Sequence, residues 1–440
     1  MAGTMWRQVQ GYGVGRSGVT IRERSPGKNW AGNYEYRAER MHRPATIEEL
    51  QEVIARAPRV RVLGSRHSFN DIADSLELVT LEDMPAEVAV DPTAGRITCN
   101  AAMKYGELSE RLNAEGLALH NLASLPHISV AGAVATATHG SGDANGNLAT
   151  AVAGLEFVTS DGETVEATRD DPDFDGLVVG LGALGAVTRI TLDVEPAYEV
   201  RQRVFEGLSW EAFLGHFDEI TRSGYSVSVF TRWGEAAGEV WVKDRVSGEP
   251  ERVRDDLFGA VAATVDRHPI LELDAAPCTP QLGRPGLWSD RLPHFRMGFT
   301  PSSGDELQSE YLLPRRHATE AIETVRTLAD GIRPALQVSE IRTVAADRLW
   351  MSMSYGQDAV GIHFTWKPEP EAVEAALVQI ETALAPFGAR PHWGKVFKAS
   401  AAKVSPLYER TTDFARLVER FDPREAFRNA WLEARVLGPS

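Results

Sequence analysis

A histidine within a short polar segment is the first residue of this chain that could do chemistry. His67 stands in GSRHSFND (Gly64–Asp71), which directly follows the alternating apolar segment VRVL. Glycine followed by small polar residues exposes successive backbone N–H groups, which form a concavity that can hold a pyrophosphate. These residues alone leave four roles open for His67: a turn residue, a metal ligand, a catalytic base or an attachment point for another group.

A second segment is unusually rich in small residues. ASLPHISVAGAVATATHGSG (Ala123–Gly142) combines three glycines with several hydroxyl side chains and few charges. Glycine and alanine leave room for a bulky group to approach the backbone closely. The segment therefore indicates either a ligand-binding wall or a tight loop packed under a helix.

Polar side chains alternate along two segments that have the character of strands. Glu340 and Arg342 lie in SEIRTV, and His363 and Thr365 lie in GIHFTW. Because residues two apart in a strand share a face, the members of each pair point to the same side. This pattern is typical of either a solvated face or a lined pocket, and the apolar flanking residues favour the pocket.

A lysine with aromatic and apolar neighbours adds a weaker indication. Lys395 lies in RPHWGKVF (Arg390–Phe397), directly after Trp393 and Gly394. A lone lysine is usually exposed to solvent. Its neighbours here favour a partly buried cation, although the segment alone does not assign it a role.

Several common cofactor and catalytic motifs are absent or out of place. GVGRSG (Gly13–Gly18) has no strand before it and no helix after it, and GLGALG (Gly180–Gly185) is followed by the strand-like AVTRITLDV. A nicotinamide dinucleotide site needs strand, glycines and helix in that order. The chain also lacks the GxSxG elbow of many hydrolases and a His or Cys cluster with zinc spacing. We therefore predict neither a Rossmann site nor a metal site.

The elements that must position these residues can be predicted from local patterns. RPATIEELQEVIARAP (Arg43–Pro58) predicts a helix capped by Thr46, with Glu49 completing a capping box, and RVRVLG after it predicts a strand. Strand patterns dominate from there to about residue 200, with a hairpin turn at Asp161–Gly162 and one helix at YGELSERLNAEGLAL. Longer helical patterns then mix with short strands, and the tail from Lys398 is expected to be helical.

The composition limits the class of protein and its partners. A chain of 440 residues exceeds what one hydrophobic core usually serves, so two domains are expected. The net charge of −16 argues against a nucleic-acid or anionic-membrane partner. Two distant cysteines, Cys99 and Cys278, suit a reducing compartment. No secretory leader and no apolar run of spanning length are evident, so we expect a cytoplasmic protein.

Taken together, the polar segments resemble a known family. The blocks Gly64–Asn70, Ser124–Gly142, Glu340–Thr343, His363–Trp366 and Pro391–Phe397 are similar to those of the alditol (xylitol/sorbitol) oxidases. These are flavoenzymes of the vanillyl-alcohol-oxidase superfamily, close to the sugar-1,4-lactone oxidases. The resemblance runs from about Asn29 to the C-terminus, and SLPHISVAG and HWGK are its most specific blocks.

The resemblance implies an α+β fold with two domains. One is an FAD-binding domain of the VAO/PCMH type, and the other is an α+β substrate-binding cap domain. The implied boundaries are a flexible arm at 1–28, the FAD-binding domain at 29–197, the substrate-binding domain at 198–395 and a C-terminal segment at 396–440 that returns to the FAD-binding domain.

The resemblance also implies that FAD is bound covalently, through its 8α carbon, to His67. The loop around His67 would hold the pyrophosphate by its backbone N–H groups. Arg66 departs from some relatives, which have glycine there, so it bears on the backbone shape of this loop, although its side chain could pair with phosphate. The other residues expected to contact the cofactor are Val62, Leu63, Gly64, Ser65, Ser68, Ser124, Ser129, Gly132, Thr136, Ala137, Thr138, His139, Val187 and His392.

The implied reaction is oxidation of a terminal CH2OH group of a linear polyol, with hydride transfer to flavin and reduction of O2 to H2O2. Positive groups near the substrate oxygen favour the developing alkoxide. The implied catalytic residues are Arg342, Lys395, Glu340 and His363, and the implied substrate-binding residues are Ser124, Gln308, Glu340, Arg342, Thr365 and Lys395. Glu340 would orient Arg342 and bind a substrate hydroxyl.

Two alternatives remain at this point. An aldonolactone oxidase or dehydrogenase would take a ring substrate on the same fold, with a different electron acceptor in the dehydrogenase. A non-catalytic or NAD-binding protein with fortuitous glycines is the alternative from another class. The partners expected for the first hypothesis are a small polyol and O2, and the protein is expected to be a monomer.

Overall fold

The computed structural model describes residues 26–246, 255–299 and 304–438. The GVGRSG motif and almost all of the predicted N-terminal arm lie outside the described residues. The strands are β1 (Arg40–His42), β2 (Val60–Val62), β3 (Glu77–Val79), β4 (Val88–Asp91), β5 (Arg96–Asn100), β6 (Leu117–Ala118), β7 (Val152–Val158), β8 (Thr164–Thr168), β9 (Ala186–Asp193), β10 (Glu195–Pro196), β11 (Glu199–Leu208), β12 (Ser226–Thr231), β13 (Gly238–Arg245), β14 (Asp256–Leu257), β15 (Ala260–Ala262), β16 (Gly286–Leu287), β17 (Leu307–Pro314), β18 (Leu336–Val344), β19 (Ala359–Trp366) and β20 (Arg390–Pro391).

Most helices are short, and α9 is the longest of those described. The α-helices are α1 (Ile47–Arg56), α2 (Tyr105–Ala114), α3 (Val130–Ala135), α4 (Phe174–Leu177), α5 (Trp210–Gly215), α6 (Phe217–Thr221), α7 (Ala318–Thr327), α8 (Ala329–Ile332), α9 (Pro370–Leu384), α10 (Ala401–Val404), α11 (Thr411–Phe421) and α12 (Ala430–Leu432). Short 3-10 helices occupy Leu148–Ala151, Trp288–Asp290, Arg315–His317, Ala385–Phe387 and Ser405–Leu407, and a π-helical turn occupies Glu433–Leu437. None of the described helices is long and apolar enough to cross a bilayer.

The strands of the described residues form four sheets, and three of these are antiparallel. A small parallel sheet has the order β1, β3, β2, and a five-stranded antiparallel sheet has the order β4, β5, β9, β7, β8. Strands β6 and β10 form a two-stranded pair. A ten-stranded sheet has the order β14, β15, β11, β13, β12, β18, β19, β17, β20, and β16 pairs with β11. Segregated antiparallel sheets with helices beside them confirm the predicted α+β class.

Local capping and turn chemistry explain the first elements, as the sequence predicts. The Thr46 hydroxyl accepts the N–H of Glu49 at 3.3 Å, and the Glu49 carboxylate accepts the N–H of Ala45 at 2.8 Å. The helix α1 ends before Pro58. The Asp-Gly turn joins β7 to β8, with Gly162 at φ 82°, a conformation that glycine adopts without a steric penalty.

The C-terminal tail is less helical than the sequence pattern predicts. Residues 422–429 form turns between α11 and α12. The buried Asp422 carboxylate accepts the N–H groups of Ala426 and Phe427 at 2.6 and 2.9 Å, which stabilises a turn in place of a helix. The same turn contacts the start of the chain, because Val60 donates its N–H to the Ala426 carbonyl at 2.7 Å.

The ten-stranded sheet has one apolar and one polar face where β17, β18 and β19 lie side by side. Ile362 and Phe364 on β19 belong to the same apolar cluster as Ile322 of α7 and Ile380 of α9. On the opposite side, the register places Glu310 and Glu340 on either side of His363. Alternation along the strands therefore brings polar side chains together on one face of the sheet.

Candidate active site

A cavity of about 220 Å³ lies between the His67 loop, the Ala123–Gly142 segment and the polar sheet face. A second cavity of about 110 Å³ adjoins it near the five-stranded sheet. The two cavities share the lining residues Val62, Leu63, Gly64, Ser129, Gly132, Ala135 and Gly182. The two cavities are therefore adjacent, and the walls of the larger one come from both halves of the chain.

The His67 loop is tied to the segment that carries Lys395. Phe69 donates its N–H to the Gly394 carbonyl at 2.8 Å, and the Asn70 amide donates to the carbonyls of Trp393 and Lys395, each at 2.8 Å. Hydrogen bonds between segments more than 300 residues apart fix their relative positions. This loop therefore faces the same cavity as the lysine.

His67 itself is half-buried, and both of its ring nitrogens are shielded from solvent. Neither ring nitrogen has a hydrogen-bond partner among the described residues, and the ring stacks on Trp30 with centroids 5.5 Å apart. Burial lowers the pKa of His67 to about 4, so the imidazole is neutral at physiological pH. An unpaired polar group costs free energy when buried. A neutral imidazole with free nitrogens beside a cavity suits a group that will be bonded to a ligand.

The loop backbone also offers donors to the cavity. Arg66 adopts φ 63°, a left-handed conformation that favours glycine. The backbone N–H groups of Arg66, His67 and Ser68 have no acceptor within the described part of the chain. Free N–H groups in a left-handed turn form an anion-binding concavity. The Arg66 guanidinium donates to the Pro26 carbonyl instead of lining this concavity with its charge.

Only part of the Ala123–Gly142 segment makes room for a ligand. A Cβ atom on Gly140 would meet the Leu122 carbonyl at 2.4 Å, and one on Gly142 would meet the Tyr225 carbonyl at 2.4 Å. Both glycines therefore allow close packing of protein against protein. Gly132 and Thr136, by contrast, line the cavity. The segment is thus a tightly packed loop at Gly140 and Gly142 and a cavity wall at Gly132 and Thr136.

Glu310 is the central charge of the polar wall. Its Oε2 atom lies 2.6 Å from Lys395 Nζ, and its Oε1 atom lies 3.0 Å from Arg342 Nη2. His139 and His363 approach the same carboxylate at 3.4 and 3.7 Å. Burial alone would raise the pKa of Glu310, but the charges of Lys395 and Arg342 hold it well below its usual range. The carboxylate is therefore ionised and pairs with both cations.

Lys395 connects this carboxylate to the cavity-lining side chains of β19. Its Nζ lies 2.7 Å from His363 Nδ1, and His363 Nε2 lies 3.0 Å from Thr365 Oγ1. Burial lowers the pKa of Lys395, and Glu310 opposes that shift. Burial lowers the pKa of His363 to about 4. The wall therefore contains a neutral imidazole next to a lysine with a reduced proton affinity.

Arg342 occupies the other end of the wall. Its Nη1 atom donates to Ser124 Oγ at 3.3 Å, and its Nε atom lies 3.5 Å from Glu340 Oε1. Burial would lower its pKa, but Glu340 and Glu310 raise it, so the guanidinium stays charged. The shorter contact to Glu310 shows that Glu310 orients Arg342 more directly than Glu340 does.

The structure brings almost all of the predicted site residues to these cavities. The larger cavity is lined by His67, Val62, Leu63, Gly64, Ser65, Arg66, Ser68, Ser124, Ser129, Gly132, Thr136, Thr138, His139, Gln308, Glu340, Arg342, His363, Thr365, His392 and Lys395. Val187 lines only the smaller cavity, and Ala137 is buried without lining either.

Sequence reasoning missed several residues of the site. Glu310 stands two residues after Gln308 in the same strand, so the period of two could have identified it. The GLGALG segment was assigned no role, yet Leu181 and Gly182 line the larger cavity. His294 also lines it, although its sequence neighbours carry no motif.

One cluster has the spacing of a metal site but not its electrostatics. Ligand atoms of His139, Glu310 and His392 lie within 4.8 Å of one another. Glu310 already pairs with Lys395 and Arg342. A metal cation would face both positive side chains with one carboxylate to balance them, so the charges of this cluster do not favour a metal.

Comparisons with known proteins agree with this geometry. The FAD binding domain family matches residues 38–168, and the D-arabinono-1,4-lactone oxidase family matches residues 305–435. A crystal structure of cholesterol oxidase from B. sterolicum has a TM-score of 0.75 at 14% identity, covering 93% of this chain and 96% of that one. The fold is thus that of an FAD-dependent oxidoreductase with a VAO/PCMH-type FAD-binding domain and a second domain.

Sequence relatives define the family more narrowly. The chain is 48% identical over 409 residues to the alditol oxidase of Streptomyces sp. strain IKD472, covering 92% of this chain and 97% of that protein. An L-gulono-1,4-lactone dehydrogenase of Mycobacterium tuberculosis is 28% identical, with 93% and 99% of the two chains covered. The chain belongs to the alditol oxidase family of FAD-dependent oxidoreductases, which confirms the predicted resemblance.

Proposed function

We propose that this protein oxidises the terminal CH2OH group of an alditol such as xylitol or sorbitol to the aldose, with O2 as electron acceptor and H2O2 as product. Bound FAD supplies the hydride acceptor for this reaction. The observation that carries the proposal is the polar wall of the cavity. Its hydrogen-bonding side chains are Ser124, Gln308, Glu340, Arg342, His363, Thr365 and Lys395.

A row of polar groups along one wall matches the hydroxyls of a linear polyol. Gln308 on β17 is the cross-strand partner of Thr365 on β19. Two residues earlier on β19, His363 is the cross-strand partner of Glu340 on β18. Each pair repeats at the spacing of a β-strand. The two pairs lie about 6.6 Å apart along β19, so hydroxyls on carbons that are several bonds apart in an extended polyol can contact them. Without these hydroxyls, the buried polar groups of the wall would be left without hydrogen-bond partners. Substrates that lack the hydroxyls would therefore bind more weakly.

The charged side chains act on the oxygen that is oxidised. As its C–H bond breaks, the hydroxyl must lose a proton, and negative charge develops on oxygen. Arg342 and Lys395 stabilise that charge because both are held at the cavity by Glu310. His363 is kept neutral by burial, and it orients its two neighbours toward the substrate because Nδ1 accepts from Lys395 and Nε2 donates to Thr365. Glu340 accepts a hydrogen bond from another substrate hydroxyl.

His67 is proposed to bind FAD covalently through the flavin 8α carbon. The support is its neutral, unpaired imidazole at the cavity, beside backbone N–H groups that are free to bind the pyrophosphate. Ser129 donates its N–H to Ser65 Oγ of this loop at 2.9 Å and lines the cavity together with Gly132, Thr136 and His139, and these residues would also contact the cofactor.

The proposed domain division follows the two parts of the site. Residues 29–197 would form the FAD-binding domain, residues 198–395 the substrate-binding domain, and residues 396–440 the returning segment. Hydrogen bonds from Arg59 and Arg61 to Glu425 and Phe427 support the return of the tail. The partners proposed are the polyol and O2, and the protein is proposed to act as a monomer.

Flavin reduction under anaerobic conditions tests the function directly. The purified holoprotein is mixed with xylitol, sorbitol or L-gulono-1,4-lactone, and flavin absorbance is followed before and after air is admitted. We expect bleaching with the alditols and one equivalent of peroxide per aldose after reoxidation. Bleaching with the lactone alone would establish the lactone reaction instead. Alditol-dependent bleaching without reoxidation by O2 would identify a dehydrogenase.

A further inference from the structure

A lysine lies deep behind the substrate wall, and no carboxylate of the described residues is its direct partner. Lys243, on β13, is 1% exposed. Its Nζ atom donates to the carbonyls of Leu292 and Pro293 at 2.5 and 3.1 Å and lies 3.2 Å from His294 Nδ1. A buried ammonium normally needs a nearby negative charge. His294 connects Lys243 to such a charge, the carboxylate of Glu340.

His294 bridges this lysine to the substrate wall. Its Nε2 atom lies 2.9 Å from Glu340 Oε1, on the side of the ring opposite Lys243. An ammonium group can only donate, so Nδ1 must accept and Nε2 must carry the ring proton. His294 therefore donates to Glu340. Both nitrogens are engaged, so His294 has none left for substrate although it lines the cavity.

The ring of His294 is also held by aromatic packing. Phe230 and Trp241 meet it edge-on, with centroids 5.3 and 5.4 Å away. Phe230 is the cross-strand partner of Glu340, so the packing and the hydrogen bond converge on one position of β18. The ring cannot turn without breaking these contacts. Its hydrogen bonds therefore define a single direction for the Glu340 carboxylate.

We propose that Lys243, acting through His294, is a positioning residue that fixes Glu340 as a hydrogen-bond acceptor for a substrate hydroxyl. The inference deepens the proposed function and rests on it. Lys243 sets the tautomer of His294, and His294 holds one carboxylate oxygen of Glu340. The other oxygen is left to accept from the substrate. The lysine thereby contributes to polyol recognition without contacting the polyol.

The geometry predicts an effect on KM more than on kcat. Arg342, which acts on the reacting oxygen, is held by Glu310 at 3.0 Å and by Ser124 at 3.3 Å. Its contact with Glu340 is longer, at 3.5 Å. Misplacing Glu340 therefore weakens binding of a hydroxyl that does not react, while the cation at the reacting oxygen stays in place.

The charges that face Lys243 give the expected pH dependence its sign. The titratable and charged groups around Lys243 are the ring of His294, the Glu340 carboxylate, the Arg342 guanidinium and the Cys278 thiol. Burial lowers the pKa of Lys243 to about 7, lowers that of His294 to about 4 and raises that of Cys278 to about 12. The lysine is a cation below its pKa, so the fixed tautomer is present at lower pH and is lost as pH rises through about 7.

Steady-state kinetics of the holoenzyme with xylitol, across pH, test the proposal. Lys243→Met removes the donor, Lys243→Gln keeps an uncharged N–H donor, and Glu239→Gln changes a buried carboxylate on the same strand that bonds Trp241 and not His294. We expect Lys243→Met to raise KM about tenfold or more, as for loss of a hydrogen bond to a charged group, with kcat changed far less. Lys243→Gln should recover much of the loss, and Glu239→Gln should keep the wild-type KM.

The pH profile separates positioning from general destabilisation. Wild-type KM should rise above about pH 7, and Lys243→Met should lack this limb because its high KM no longer depends on pH there. If Lys243→Met does not fold, His294→Gln, whose amide can donate to Glu340, and His294→Phe, which cannot, are compared in its place. Equal KM for these two, or a wild-type KM for Lys243→Met, would overturn the positioning role alone. If no alditol reduces the flavin of the wild-type protein, the proposed function is overturned together with the positioning role.

Discussion

The Glu310 carboxylate lies 2.6 Å from the Lys395 ammonium, with both groups withdrawn from solvent beside the cavity. The same carboxylate lies 3.0 Å from Arg342. One negative charge therefore positions two cations at the cavity, where the substrate oxygen is proposed to lie. In a buried site, removing one partner of such a network leaves the others uncompensated.

Glu310→Gln should reduce both turnover and stability. The amide keeps the shape of the side chain but not its charge, so we expect unfolding free energy to fall by about 3–5 kcal/mol, as for breaking a buried ion pair. Denaturant unfolding of the holoprotein measures this change. Glu381→Gln is a matched control, because Glu381 bonds Tyr311 from outside the cavity. Equal loss in both variants would show that Glu310 has no special role.

The same substitution should move the pH dependence of turnover. Glu310 raises the pKa of Lys395 against the effect of burial, so its neutralisation lowers that pKa. A lysine is charged below its pKa, so activity that needs the ammonium is lost as pH rises through that value. In Glu310→Gln this loss should begin at lower pH than in the wild type, as measured by kcat across pH. An unchanged profile would exclude the charged form of Lys395 from the reaction.

Arg342→Ala and Lys395→Ala should each lower turnover on the order of a hundredfold, by analogy with loss of an oxyanion donor. Both residues border the substrate end of the cavity, so flavin content should stay near the wild-type level. Rapid anaerobic reduction of the flavin measures the chemical step apart from reoxidation. Wild-type reduction rates in both variants would remove these residues from the mechanism.

Arg66→Gly should retain flavin, while Arg66→Val should lose it. Arg66 holds φ 63°, which costs an L-residue about 1–2 kcal/mol, is free for glycine and is least accessible to a β-branched side chain. Glycine therefore preserves the loop, although it gives up the bond to the Pro26 carbonyl. Flavin content of the purified variants distinguishes the two substitutions. Retention of flavin by Arg66→Val would mean that the left-handed conformation is not required.

The sequence predicts those features that depend on local patterns. The cap at Thr46, the Asp161–Gly162 hairpin and the polar alternation in β18 and β19 each follow from neighbouring residues, and all three appear in the structure. The resemblance to alditol oxidases added the cofactor and placed distant blocks in one site. It left Arg66 unexplained, and the structure supplies the reason, because this position has a backbone conformation typical of glycine.

The features that the sequence did not predict depend on long-range contacts. Glu310 is central because β17 pairs with both β19 and β20, which brings His363 and the segment before Lys395 to its sides. Lys243 and His294 meet behind the wall although 51 residues separate them. No local pattern encodes these two pairings. The turns at Asp422 differ, because they replaced a predicted helix through local bonds from the carboxylate to N–H groups four and five residues later.

His67→Ala should abolish covalent attachment of the flavin before it abolishes binding. The imidazole is neutral above about pH 4 and unpaired, so it can form a bond to the flavin, whereas a methyl group cannot. The free N–H groups of the loop and the opposite cavity wall remain, so the variant should still purify yellow. After acid precipitation, the colour should stay with the wild-type chain and leave the variant. His127→Ala is the matched control, because its ring bonds the Met297 carbonyl and is not among the side chains that line the cavity. Wild-type protein that releases its flavin in acid would exclude the covalent bond, and retention of colour by His67→Ala would place the bond on another residue.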